Sequence, residues 1–167
     1  MSTADDVLAA ARNLVQAFGR HDTAAYFGCF APDATFIFHT TAARLATRDE
    51  YQQLWRQWEH QDDFRVQSCA SAHPVVQDLG DAAVFSHDVT TVIRTRAGEQ
   101  AVSERETIVF QRDGDRWAAV HEHLSPHPQP GSGGISLELL RELTGGPTPR
   151  PTLRRVRLPM VGAKVLI

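Results

Sequence analysis

His121 and His123 are spaced to share one side of a β-strand, and they are the first residues in this chain with chemistry to offer. They follow Asp113-Gly114, a pair that tolerates the positive φ of a tight reversal, so two strands are predicted to meet there. Side chains two apart on a strand point the same way, and imidazole is a common metal ligand. A metal centre needs more than two ligands, and no Cys or further carboxylate lies nearby at ligand spacing. The pair is therefore read as packing on a sheet face, and no metal is expected. Strict alternation puts Trp117, Ala119, His121, His123 and Ser125 on one face and Ala118, Val120, Glu122 and Leu124 on the other. Elsewhere, the hydroxyl of Tyr26 needs a partner if buried and could be aimed into a cavity. Trp55 and Trp58 are read as core or as the wall of a ligand pocket.

The elements that would position these groups follow from periodicity. Thr3 with Asp6 reads as a capping box, and Val7, Leu8, Ala11, Leu14, Val15 and Phe18 recur at helical spacing up to Gly19. Asp22 caps a shorter helix, Thr23 to Phe30, with Tyr26, Phe27 and Phe30 inward and Pro32-Asp33 closing it. Thr35 to His39 reads as a strand, and residues 40–46 as a loop. Thr47 to Glu50 opens a third helix, with Tyr51, Leu54, Trp55 and Trp58 on one side. From Phe64 the period becomes two. Strands are predicted at 64–78, 82–95, 99–111 and 116–125, with reversals at Gly80-Asp81, Ala97-Gly98 and Asp113-Gly114. Pro74 lacks a ladder donor, so its strand is an edge or is bulged there. The prediction is an α+β fold, with three N-terminal helices packed on a curved, mainly antiparallel sheet.

The sequence divides at residue 126. Pro126, Pro128, Pro130 and Gly131-Ser132-Gly133-Gly134 read as a linker, followed by a short helix from Ser136 to Thr144 and a basic tail. Residues 1–126 hold 11 Lys and Arg against 18 Asp and Glu, whereas residues 127–167 hold 6 against 2. The tail is read either as disordered or as docking on its own domain or on a partner subunit. The acidic body carries no basic, aromatic-studded stripe, which argues against nucleic acid. No apolar run approaches the roughly 20 residues of a membrane span, and the N-terminus has no secretory pattern, so a cytoplasmic location is expected. Cys29 and Cys69 read as buried thiols. A single lysine, Lys164, among 17 basic residues suggests a GC-rich bacterial genome.

The order long helix, short helix, strand, helix, four-stranded meander, ending in Trp117 and then Val120-His121-Glu122-His123-Leu124-Ser125, resembles the nuclear-transport-factor-two-like superfamily. Within it, SnoaL-like domains and the association domain of calmodulin-dependent kinases are the nearest in pattern, the latter also through Glu106-Thr107. The resemblance covers about residues 3–126. It implies a cone-shaped fold with a pocket between the helices and the concave sheet face, with Tyr26 and Trp55 at pocket positions. The kinase domain's pocket arginines fall on Ile108, Leu124 and Asp88, so a carboxylate-binding pocket is not implied. That registration places Glu106, Glu122 and Asp88 on the pocket face, and His87, His121 and His123 on the convex face, which often forms dimer contacts in this superfamily.

Two functions follow as expectations. One is a cofactor-independent enzyme of dehydratase, isomerase or cyclase type acting on a small organic molecule. A buried carboxylate among aromatics can shuttle protons. Asp88 is then the general base, His39 its acid/base partner and Tyr26 a polarising donor. Trp55, Trp58, Phe30, Glu106, Ile108, Glu122 and Leu124 would line the pocket. The other is a non-catalytic ligand-binding or oligomerisation module, with a homodimer built on the sheet. An inward carboxylate within about 3.5 Å of His39 would favour the enzyme.

Overall fold

The computed structural model describes residues 2–128 of the chain. Helix α1 spans Thr3–Gly19 and α2 Thr23–Gly28, strand β1 spans Phe30–Phe38, and α3 spans Arg48–Asp62. The meander follows as β2 (Arg65–Asp78), β3 (Ala82–Thr95), β4 (Gly98–Asp113) and β5 (Arg116–Pro126). The five strands form one sheet in the order β1-β5-β4-β3-β2. All pairings are antiparallel except β1 with β5, which is parallel. This is the α+β architecture the periodicity predicts, with three helices ahead of the meander. The Pro/Gly-rich linker, the helix expected at 136–144 and the basic tail lie outside the described residues.

Local chemistry sets the ends of the helices. Ser2, rather than Thr3, caps α1: its side chain accepts from the Asp5 backbone N–H, and Asp5 returns the bond, completing a capping box one residue early. Asp22 caps α2 as expected. That helix stops at Gly28, because Phe30 already pairs with Ala119 and the Cys29 carbonyl accepts from the Ala119 N–H. Pro32 and Asp33 consequently sit within β1, where the register with β5 shifts. Thr47 caps α3 through the Glu50 N–H, and Asp63 ends it in the left-handed conformation.

The helices cover one face of the sheet. On β3, Phe85, His87, Val89, Thr91 and Ile93 are buried on that face, and on β4 Val102, Glu104, Glu106, Ile108 and Phe110 are. A dense aromatic cluster of Phe18, Tyr26, Phe27, Phe30, Tyr51, Trp55 and Phe64 joins the helices to the sheet. Two irregularities shape the rest. Pro74 falls where the β2–β3 register shifts, next to His73 at φ 51°, on the edge strand. In β5, His121 pairs with Val109 while Ala119 pairs with Phe110, which leaves Val120 as an extra residue. The bulge corrects the strict alternation expected there: Trp117 and Ala119 share the covered face with Glu122 and Leu124, and His121 and His123 stay outward.

Candidate functional site

The covered face gathers three carboxylates. Glu104 and Glu106 are two apart on β4 and so share a face, and Glu122 on β5 lies directly opposite Ile108. All three are buried, none more than 8% exposed. They line a cavity of about 20 Å³ whose walls include Leu14 and Phe18 of α1, Tyr26 of α2, and Thr91 and Leu124. That volume holds about one water molecule. Among the described residues, none that lines it is Lys or Arg.

Each carboxylate meets a polar partner. Glu104 Oε1 lies 2.7 Å from Nε2 of His39, which sits just past the end of β1 with 22% of its side chain exposed. Glu106 Oε2 is hydrogen bonded to His87 Nε2. Tyr26 donates its hydroxyl to Glu122 Oε2 at 3.1 Å and lies 3.4 Å from the hydroxyl of Tyr51. Burial, and then the charge of Glu122, hold both tyrosines well above the usual phenol range, so they remain donors. Burial pushes the His87 imidazole down to about 4, against smaller opposing effects from Glu122 and Asp88. His87 is therefore neutral at pH 7.

The arrangement corrects several expectations. Asp88 does not face the cavity. It lies on the opposite face of β3, 33% exposed, accepting from His73 Nδ1 at 3.0 Å, with His127 and Arg105 within 3.7 Å. His73 is the first cause of its lowered pKa. His87 points inward in its place. On β3 the family registration is offset by one residue, and a slip of one residue exchanges the two faces. Asp88 and His39 thus form no dyad. Trp55, Trp58 and Phe30 do not line the cavity: they are buried in the aromatic cluster, where Trp55 packs on Phe27 and Phe64, Trp58 on Tyr51, and Phe30 on Tyr26. Ile108, expected in the pocket, is wholly buried and does not line the cavity, whereas Leu124 does.

His121 and His123 face outward, and His121 Nδ1 lies 2.8 Å from the Thr35 hydroxyl. Burial, then the charge of His123, lowers the His121 pKa. Among the described residues no group of three or more His, Cys, Asp and Glu side chains is placed to hold a metal ion. Glu104, the partner of His39, went unrecognised in the sequence. Its signal was the alternation Val102, Glu104, Glu106, Ile108, Phe110, in which two glutamates occupy apolar positions.

A curled sheet with a parallel first strand, three helices across one face and a polar cavity between them defines the nuclear-transport-factor-two-like cone fold. Residues 7–129 match the SnoaL-like domain family, and the chain belongs to it. Solved structures agree on the fold. An NTF2-like protein from Cytophaga hutchinsonii superposes with a TM-score of 0.65 at 12% identity, covering 76% of this chain and 100% of that one. A putative calcium/calmodulin dependent protein kinase II association domain from Xanthomonas campestris gives 0.64 at 18% identity, covering 77% and 91%. The CaMKII hub of S. rosetta gives 0.60 at 20% identity, covering 76% and 98%. No curated protein matches the sequence. No helix among the described residues is long and apolar enough to cross a membrane.

Proposed function

We propose that this protein is a cofactor-independent acid/base enzyme of the dehydratase, isomerase or cyclase type, with Glu104 and His39 as its proton-transfer pair. The observation that carries the reading is the 2.7 Å contact between His39 Nε2 and Glu104 Oε1, with Glu104 lining the buried cavity and His39 behind it. One group of such a pair takes a proton from a substrate carbon or hydroxyl, and the other returns it at a neighbouring atom. Tyr26 supports the reading as a protonated donor within the same cavity. Three buried carboxylates, with no cation lining the cavity among the described residues, select against anions, so the substrate is a neutral or positively charged small molecule. A cavity of about 20 Å³ does not contain such a molecule. Binding therefore requires α1, which supplies Leu14, Val15 and Phe18 to the wall, to move outward.

The test is carbon–hydrogen exchange in D₂O with a set of small enolisable ketones and amino ketones, followed by proton NMR. The wild type exchanges faster than buffer, and Glu104→Gln loses on the order of 10²-fold or more of that rate. Equal rates in the two proteins refute the pair. A second reading, a non-catalytic oligomerisation module, is favoured by the likeness to a kinase association domain and hub. It implies a homodimer built on the outer sheet face, which light scattering would find at twice the monomer mass.

A further inference from the structure

A second array lies beside the acidic cavity and goes beyond the acid/base reading. Ser71, on edge strand β2, places its Oγ 2.7 Å from His87 Nδ1, and His87 Nε2 is hydrogen bonded to Glu106. His87 is buried, whereas Ser71 is exposed, so the chain of bonds runs from the interior to the surface. It ends in a groove of about 300 Å³ between α1 and the sheet, walled by Leu8, Ala11, Val15, Pro74 and Phe85, with Arg12 at its side. The size is that of a small ligand site, and the wall is apolar. With Glu106 ionised, Nε2 carries the imidazole proton and donates it, which leaves Nδ1 to accept from the serine hydroxyl. A hydroxyl, a base that accepts from it and a carboxylate that orients the base form the constellation of an activated nucleophile.

We propose that Ser71 is a nucleophile for acyl transfer from small uncharged esters, with His87 as its base and Glu106 orienting His87. Ser71 Oγ adds to the ester carbonyl carbon while its proton passes to His87 Nδ1; burial keeps the resting imidazole neutral, and the hydrogen bond from Nε2 to Glu106 offsets that burial cost as the imidazolium forms. The tetrahedral adduct collapses by breaking the bond to the alcohol oxygen, which leaves with that proton. Water then cleaves the acyl-serine by the same route, so ester and water become acid and alcohol and Ser71 is restored. Arg12 contributes positive charge near the developing oxyanion.

The probes are phenylmethanesulfonyl fluoride, with the modified residue mapped by mass spectrometry, and p-nitrophenyl butyrate, followed by release of nitrophenol. The wild type takes one sulfonyl group on Ser71 and hydrolyses the ester above the buffer rate. Ser71→Ala, a change on an exposed edge strand, loses both. His87→Gln slows labelling of Ser71 on the order of 10²-fold. An unlabelled Ser71 in the wild type, or ester hydrolysis that persists in Ser71→Ala, overturns the proposal. Equal labelling rates in a folded His87→Gln protein overturn the role of the histidine. If His87→Gln does not fold, the Ser71→Ala comparison decides.

Discussion

His87 should make the fold sensitive to acid in a defined window. Its side chain is enclosed, and burial lowers its pKa from 6.5 to about 4. In the unfolded chain the imidazole regains its ordinary value, so between pH 6.5 and about 4 the unfolded state binds a proton that the native state refuses. Stability conferred by the neutral histidine is complete above 6.5 and is lost as pH falls toward 4. The difference between the two values corresponds to about 3 kcal/mol. Urea unfolding measured between about pH 7 and about pH 4 reads it directly. His87→Gln also loses packing against Phe85, whose ring centroid is 4.7 Å away, so the variant is weaker at pH 7. Its stability nevertheless falls less steeply with acid, by about 3 kcal/mol across the window. A variant that follows the wild-type curve in parallel, or an NMR titration of His87 with a midpoint near 6.5, refutes the reasoning.

Tyr26→Phe removes the donor 3.1 Å from Glu122 and leaves a buried carboxylate one bond short. Urea titration at neutral pH should show a loss of about 1–3 kcal/mol, and an unchanged midpoint would mean that another donor serves Glu122. Gly19→Ala tests the approach of α1 to β2, where a Cβ would lie 3.0 Å from the Cys69 backbone nitrogen and 3.3 Å from its Cβ. The neighbour includes backbone and cannot swing aside, so thermal or urea unfolding should show a cost of about 1–3 kcal/mol. Gly28→Ala is the matched control, because nothing lies within 4 Å of its Cβ, and it should cost nothing.

The helices and the meander were readable because their signals are local: caps at Asp22 and Thr47, apolar stripes at helical spacing, and Gly-containing turns at 80, 98 and 114. The start of β1 was not, since Phe30 to Asp33 carry helix-ending chemistry and become strand only by pairing with β5, far away in sequence. The same limit governs the site. Glu106 and Glu122 could be assigned to the covered face by parity with Ile108 and Leu124. On β3 the parity signal is divided between Val84 and Val92 on one side and Phe85, Val89 and Ile93 on the other. The inward set is larger, yet the family registration pointed to Asp88. The bulge at Val120 leaves no mark in composition, because an extra residue in a strand is defined by its partner strand. The groove beside Ser71 was equally hidden, since it requires α1 to lie across β2 and β3.

The parallel seam between β1 and β5 also bears on how the chain reaches its native state. Thr35 and His121, bonded across that seam, are 86 residues apart. The β2–β5 meander can assemble through neighbouring hairpins, each closing a short loop at small entropic cost. The seam cannot begin until almost the whole described chain exists. During synthesis the helices and β1 emerge first and must wait, with the apolar side chains of Phe30, Phe36 and Phe38 lacking the strand that will cover their flank. On the separation of its strands alone, this seam is expected to close last, and the nascent chain is expected to be most open to misassociation just before β5 arrives.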